Sequence, residues 1–284
     1  MNSSLPRRDA LAIAASYKID PQRRELYVEG QRDRLFIQWL TEGARSPDAR
    51  IVEARFVDSP TALGGERGRL VAFGKSVEHL QLAIRIWLDA DHDRIENEVV
   101  GSNIYLTDFR DLEGYFLRED CFTKFVMLGL AKDSPEGAGL LAQVLRESRR
   151  IGLLRIVSHR MGLALPFQDT EITRYMAWRA GTLSVDFDRL LNALMQSAGI
   201  PQKQRAAILN HYDRVVSEFV ETEHVQIAHG KDVCDFIRVV CGDQHLTSEQ
   251  TARTMWTSLE RAQIIESPQL ARAARFLAGE LPIP

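Results

Sequence analysis

The apolar positions of the first 120 residues fall into short extended runs separated by helix-like segments. Leu26 to Val28 is an apolar strand that stops at Glu29-Gly30. Arg32 to Glu42 then places Leu35, Phe36, Trp39 and Leu40 at helical spacing. Ile51 to Val57 reads as a second strand, stopped by Asp58-Ser59-Pro60. Ala83 to Leu88 alternates, with Ile84, Ile86 and Leu88 on one side, and Asn103 to Leu106 is a last short strand before Thr107-Asp108. Strands joined through helical connections predict a mainly parallel sheet with helices on its faces.

From about residue 121 the period changes to that of helices. Helices are predicted over Gly139 to Met161, Phe187 to Gln196, Lys203 to Phe219, Asp232 to Val240, Ser248 to Arg261 and Pro268 to Leu277. Ile200-Pro201 puts a proline in a first turn, and Thr247-Ser248-Glu249-Gln250 has the form of a capping box. Leu165-Pro166-Phe167 and Thr182 to Val185 are short extended candidates. The fold class expected is therefore α/β, a flanked parallel sheet over residues 1–120, followed by a mostly helical region over residues 121–284.

The chemistry concentrates where the strands stop. Parallel α/β sheets bind ligands at the carboxyl ends of their strands. Glu29 follows one strand, and Asp89-Ala90-Asp91-His92-Asp93 follows another. If the second strand stays extended through Ala90, Asp89 and Asp91 point the same way and converge on one site. A buried carboxylate needs positive charge nearby, and Mg2+ or Mn2+ prefers oxygen ligands. Asp33 stands where a helix begins and also fits a role there as a dipole partner. Asp93 reads as a solvated loop residue. A second acidic cluster, Thr107-Asp108-Phe109-Arg110-Asp111-Leu112-Glu113, cannot turn both Asp111 and Glu113 to one side of a regular helix; helix capping by Thr107 or Asp108 is its plain alternative.

Composition narrows the setting. The 284 residues are 45% hydrophobic and 26% charged, as in soluble globular proteins, and the net charge of −3 argues against a surface that is basic throughout. Cys121, Cys234 and Cys241 form no CxxC pair, which favours a reducing compartment; Cys234 and Cys241 read as core residues. Met1 to Arg8 lacks the apolar centre of a signal peptide, so a cytoplasmic, membrane-free protein is expected.

Several motifs fail on inspection. Gly68 to Ser76 resembles a P-loop, but Arg69 takes a required glycine position. Asp89-x-Asp91-x-Asp93 mimics an EF-hand start, with Arg94 in place of glycine and Val100 in place of the bidentate glutamate. No histidine pair has zinc spacing. Arg146, Arg149, Arg150, Arg155 and Arg160 lie along one helix and read as a solvated face with partners such as Glu147. His229-Gly230-Lys231-Asp232 reads as a helix start.

Glu-Gly after a first strand and Asp-x-Asp after a later one resemble the Toprim domain of topoisomerases, primases and OLD-family nucleases. With Thr107-Asp108, Arg110-Asp111-Leu112-Glu113 and His229-Gly230-Lys231-Asp232, the chain resembles the Toprim nuclease subunit of PARIS-type anti-phage systems. The catalytic match covers about residues 24 to 118. The resemblance implies that Glu29 is a metal ligand or general acid/base and that Asp89 and Asp91 are the paired metal-binding aspartates. It further implies that Asp33 is an additional acid, and that Asp111 and Glu113 form a second acidic motif. The implied activity is Mg2+- or Mn2+-dependent cleavage of cellular nucleic acid, RNA (transfer RNA included) before DNA. The implied partners are an ABC-type ATPase subunit and a second copy in an active homodimer. A degenerate Toprim-like module that binds and signals without cutting is the alternative.

Overall fold

The computed structural model describes residues 7–58, 65–96, 101–133, 139–242 and 246–281. Ser59-Pro60, Val100 and His245 lie outside them. The strands are β1 (Arg24–Val28), β2 (Ala49–Glu53), β3 (Ile84–Leu88), β4 (Ile104–Leu106), β5 (Met176–Arg179) and β6 (Thr182–Val185). The helices are α1 (Ala10–Ile19), α2 (Gln31–Leu40), α3 (Gly65–Val77), α4 (Glu119–Lys124), α5 (Gly139–Arg160), α6 (Phe187–Ser197), α7 (Arg205–Glu218), α8 (His224–Ile227), α9 (Gly230–Val240), α10 (Ser248–Ser258), α11 (Arg261–Ile264) and α12 (Pro268–Ala278).

The chain forms two compact units, residues 1–108 with 260–284, and residues 109–259. The division falls twelve residues before the expected one, and the last helices belong with the sheet. Asp108 supplies a physical reason. Its carboxylate accepts from the amides of Gln269 (2.9 Å) and Leu270 (3.3 Å), capping α12. Capping was the right role for Asp108, but the helix it caps lies about 160 residues downstream.

In the first unit β1 to β4 form one parallel sheet in the order β2-β1-β3-β4. Leu26, Tyr27 and Val28 of β1 and Ile86, Trp87 and Leu88 of β3 are fully buried, the continuous apolar run of a strand covered on both faces. Tyr27 pairs with Ile86 and Ile86 with Ile104, so these three share a face. There α3 packs: Phe73 lies 4.8 Å from the Tyr27 ring, and Gly74 is the point of closest approach to Ile86 and Ile104. The opposite face is covered by α12, where Arg24 and Arg85 lie over the Phe276 ring and Arg272 over Tyr105.

Several expected details change. β2 ends at Glu53 and continues as a 3-10 turn, Ala54–Phe56. In α2 the inward residues are Phe36, Ile37 and Leu40, whereas Leu35 and Trp39 are exposed. Gly68 to Ser76 lies inside α3, so it forms no phosphate-binding loop. Leu165-Pro166-Phe167 is not a strand.

Among its described residues the second unit is mostly helical, with the β5-β6 hairpin as its strands. Thr247 and Gln250 form the expected capping box of α10. α5 packs closely on α8 through Gly152, where an added Cβ would fall 2.1 Å from the Ile227 carbonyl oxygen. The α5 arginines have varied partners. Arg146 and Arg150 pair with Glu147, but Arg155 forms a bidentate bond with buried Asp232, and Arg160 reaches Glu218. Cys234 is buried and Cys241 half-buried.

If α12 is integral to the first unit, Phe276→Ala should lower its stability by about 3–5 kcal/mol. Tryptophan fluorescence in a urea titration checks this; an unchanged midpoint would show the helix to be dispensable.

Candidate functional site

Parallel pairing of β1 with β3 sets Val28 beside Trp87 in register, so Glu29, one residue on, and Asp89, two residues on past Leu88, leave neighbouring strand ends. The Asp89 amide donates to Glu29 Oε1 at 3.1 Å. β3 ends at Leu88, two residues before Ala90. Asp91 takes a left-handed conformation (φ +45°) and opens a turn, so it reaches the site by a change of direction, not by strand alternation. The Ala90 amide bonds the Thr107 hydroxyl at 2.8 Å, which ties this turn to the end of β4. Asp33, in the first turn of α2, accepts from the Gly30 amide at 3.0 Å and so closes the β1-α2 turn.

Arg67, near the start of α3, stands among these acids. Its guanidinium lies 3.6 Å from Glu29 and 3.6 Å from Asp91, bonds the carboxylate of Asp93, and donates to the Asp89 carbonyl. Asp93, expected to be solvated, is therefore an ion-pair partner. Sequence reading did not find Arg67. The available signal was a basic residue in a helical first turn, where the helix dipole disfavours positive charge. Its neighbours reverse that preference.

The charge is not fully balanced. Burial, reinforced by the negative charge of Asp33, pushes the Glu29 carboxyl up to about 7. Arg67 and the Asp89 amide act in the opposite direction, and Asp91 adds to the rise. A partly buried acid titrating near neutrality beside other acids is a feature of functional sites.

Asp111 and Glu113 belong to the second unit. Asp111 stands at the N-cap position of the 3-10 turn Leu112–Tyr115, but its side chain does not cap that turn: its carboxylate accepts from the Gly230 amide at 2.6 Å. A Cβ on Gly230 would lie 2.2 Å from Glu113 Cβ and 2.7 Å from Asp111 Oδ1, so both acids converge on this glycine. His229 and Asp232 sit beside it, with burial and the nearby Arg155 and Arg110 holding the histidine well below its usual pKa. The two downstream motifs, Arg110 to Glu113 and His229 to Asp232, thus meet in one buried network. From the sequence, His229 to Asp232 read as a helix start, and the resemblance placed Asp111 and Glu113 in a second acidic motif with metal; here both acids pack against Gly230 instead.

No family model matches the chain, and no curated protein matches it. Function must therefore be argued from the residues themselves.

The donors at the first site are hard oxygen atoms, which suit Mg2+ or Mn2+. Among the described residues, however, no three His, Cys, Asp or Glu side chains stand close enough together to hold a metal ion. The acids are gathered around a guanidinium instead. A cation is what the cluster attracts, and Arg67 supplies one.

In the unfolded chain Glu29 ionises near 4.5, whereas in the folded chain it keeps its proton to about pH 7. Its contribution to stability is present below pH 4.5 and is lost as pH rises through 7. Glu29→Gln should therefore match the wild type at pH 4 and exceed it by about 2–3 kcal/mol at pH 8. Urea titrations at the two pH values check this; equal stability at pH 8 would contradict the raised pKa. In the second unit, Gly230→Ala should destabilise by about 1–3 kcal/mol through overpacking against Glu113, seen as a lower midpoint of thermal unfolding.

Proposed function

We propose that the protein is a Toprim-like, Mg2+- or Mn2+-dependent nuclease. The observation that carries this reading is the meeting of Glu29 and Asp89 at adjacent carboxyl ends of a parallel sheet, with Asp91 turned back toward the same cation. On this reading Glu29, Asp89 and Asp91 would hold the metal after drawing closer together than they stand around Arg67, with Asp33 adding its charge beside Glu29. A bound divalent ion would polarise a phosphodiester and lower the pKa of an attacking water. Without metal Glu29 keeps its proton to about pH 7, a proton that metal binding would displace. Arg67 holds Glu29, Asp91 and Asp93 together, and a metal bound among the acids would leave its guanidinium available to a phosphate oxygen.

The sequence resemblance extends the proposal. The protein acts as the toxic effector of a cytoplasmic anti-phage complex, restrained by an ABC-type ATPase, with cellular RNA as the preferred substrate and a homodimer as the active form. No described helix is long and apolar enough to cross a membrane. Asp111 and Glu113, engaged with Gly230, are better placed to order α9 than to bind metal.

A second reading is favoured by one observation. Three carboxylates already share Arg67, the arrangement expected of a catalytically silent module with a built-in counter-ion.

Two measurements separate these readings. Incubation with total RNA and plasmid DNA should give cleavage with Mn2+ and none with EDTA. Glu29→Ala, as a lost direct ligand, should reduce it by more than the roughly 10–100-fold typical of outer-shell losses. Full activity of a folded Glu29→Ala protein would refute the site. In calorimetric titration with Mn2+, Arg67→Ala should bind more tightly than wild type if a metal displaces the guanidinium. Absent binding in both proteins would favour the silent module.

A further inference from the structure

A second polar cavity, about 590 Å³, lies along β2, the edge strand of the sheet in the first unit. Arg8, Arg23, Arg34, Arg50 and Arg55 line it, together with Glu53 and the half-buried ring of Phe56. Two buried glutamates set the arginines in place. Glu25, fully buried in β1, accepts from Arg8 (3.1 Å), from Arg23 (2.9 Å) and from the Tyr27 hydroxyl (2.8 Å). Glu53, 4% exposed at the end of β2, accepts from Arg34 (2.8 Å) and pairs with Arg55 (2.9 Å). Each carboxylate is thus held by two guanidiniums, which leaves one positive charge in excess at each end of the cleft. Arg50 is exposed and has no ion-pair partner among the described residues, so it adds a third.

Such an arrangement is built for an anion. A guanidinium carries five donors, and a carboxylate that takes one or two leaves the others for a ligand. Because the glutamates fix the arginines beforehand, little side-chain entropy remains to be lost on binding. Spacing distinguishes the kind of anion. Glu25 stands opposite Arg50, and Glu53 opposite Val28, so the two clusters are three residues apart along β1 and lie on opposite faces of the sheet, the cleft wrapping around its edge strand. At roughly 3.3 Å per residue that is about 10 Å, too far for one phosphate group to touch both. Between the charged ends, Ile51, Val52 and Phe56 give an apolar wall, and Arg55 already lies over the Phe56 ring at 4.8 Å. Repeated negative charge beside a flat apolar surface is the chemistry of a single nucleic-acid strand, phosphates on arginine and a base on an aromatic ring.

We propose that this arginine-lined cleft binds the phosphodiester backbone of single-stranded nucleic acid. The choice of nucleic acid rests on the nuclease reading, but binding is separable from cleavage because it needs no metal. Anisotropy of a fluorescein-labelled 12-nucleotide RNA, measured in EDTA between 50 and 200 mM salt, tests it on the full chain. Wild type should bind, with affinity falling as salt rises. Arg50→Glu and Arg55→Glu should each weaken binding by about ten-fold and reduce the salt slope by about 0.7 for each phosphate no longer neutralised. Arg174→Glu, an equal charge reversal at an exposed residue of the second unit, should change little. Far-ultraviolet circular dichroism and Arg50→Ala, which removes no described ion pair, guard against misfolding. No binding by wild type, or equal losses in Arg50→Glu and Arg174→Glu, would overturn the cleft. Competition by AMP at the same concentration as unlabelled RNA would overturn the strand in favour of a free nucleotide. Loss of cleavage with binding intact would instead count against the metal site alone.

Discussion

Negative charge at the end of a buried parallel sheet has to be balanced, and Arg67 is where this chain balances it. Register brings Glu29 and Asp89 to neighbouring strand ends, and the turn at Asp91 adds two more acids. Without a cation, the mutual repulsion and desolvation of these groups would oppose the pairing of β1 with β3 itself. The guanidinium on α3 meets this demand and ties the helix to the strand ends it packs beneath. The compensation is incomplete, as the raised pKa of Glu29 records. Residual charge of this sort opposes stability and favours chemistry, a common trade at functional sites.

The same principle recurs at the sheet edge with the signs reversed. Glu25 and Glu53 are buried carboxylates that would be unfavourable alone, and each is surrounded by arginines. At the strand ends acids outnumber the cation; along β2 cations outnumber the acids. An acid-rich strand end and an arginine-rich sheet edge thus arise in one unit, from one sheet. The overall charge of −3 gives no hint of this separation.

The second unit uses its acids for order. Asp111 holds the amide at the start of α9, and Asp232 on the same turn holds Arg155 of α5. Gly230 is needed because Asp111 and Glu113 occupy the space a side chain would take. Polar residues that could be read as catalytic here secure the packing of helices at their ends.

The strands were legible in the sequence because a strand buried on both faces carries a continuous apolar run, and Leu26 to Val28 and Ile86 to Leu88 are such runs. Most helices were legible for the corresponding reason of period, and the capping box of Thr247 because it is local. The acids Glu29, Asp89 and Asp91 stood out because carboxylates that end apolar strands are chemically conspicuous. Tertiary structure alone decided which partners they found. Arg67 lies 38 residues from Glu29 and carries no pattern that ties it there, and Asp108 caps a helix at the other end of the chain. The arginine cleft gathers residues from Arg8 to Arg55 that share no period and meet only when β2 lies beside β1. Periodicity reports burial, which each segment expresses by itself. Charge compensation joins groups distant in sequence, so it is fixed only when the chain has folded.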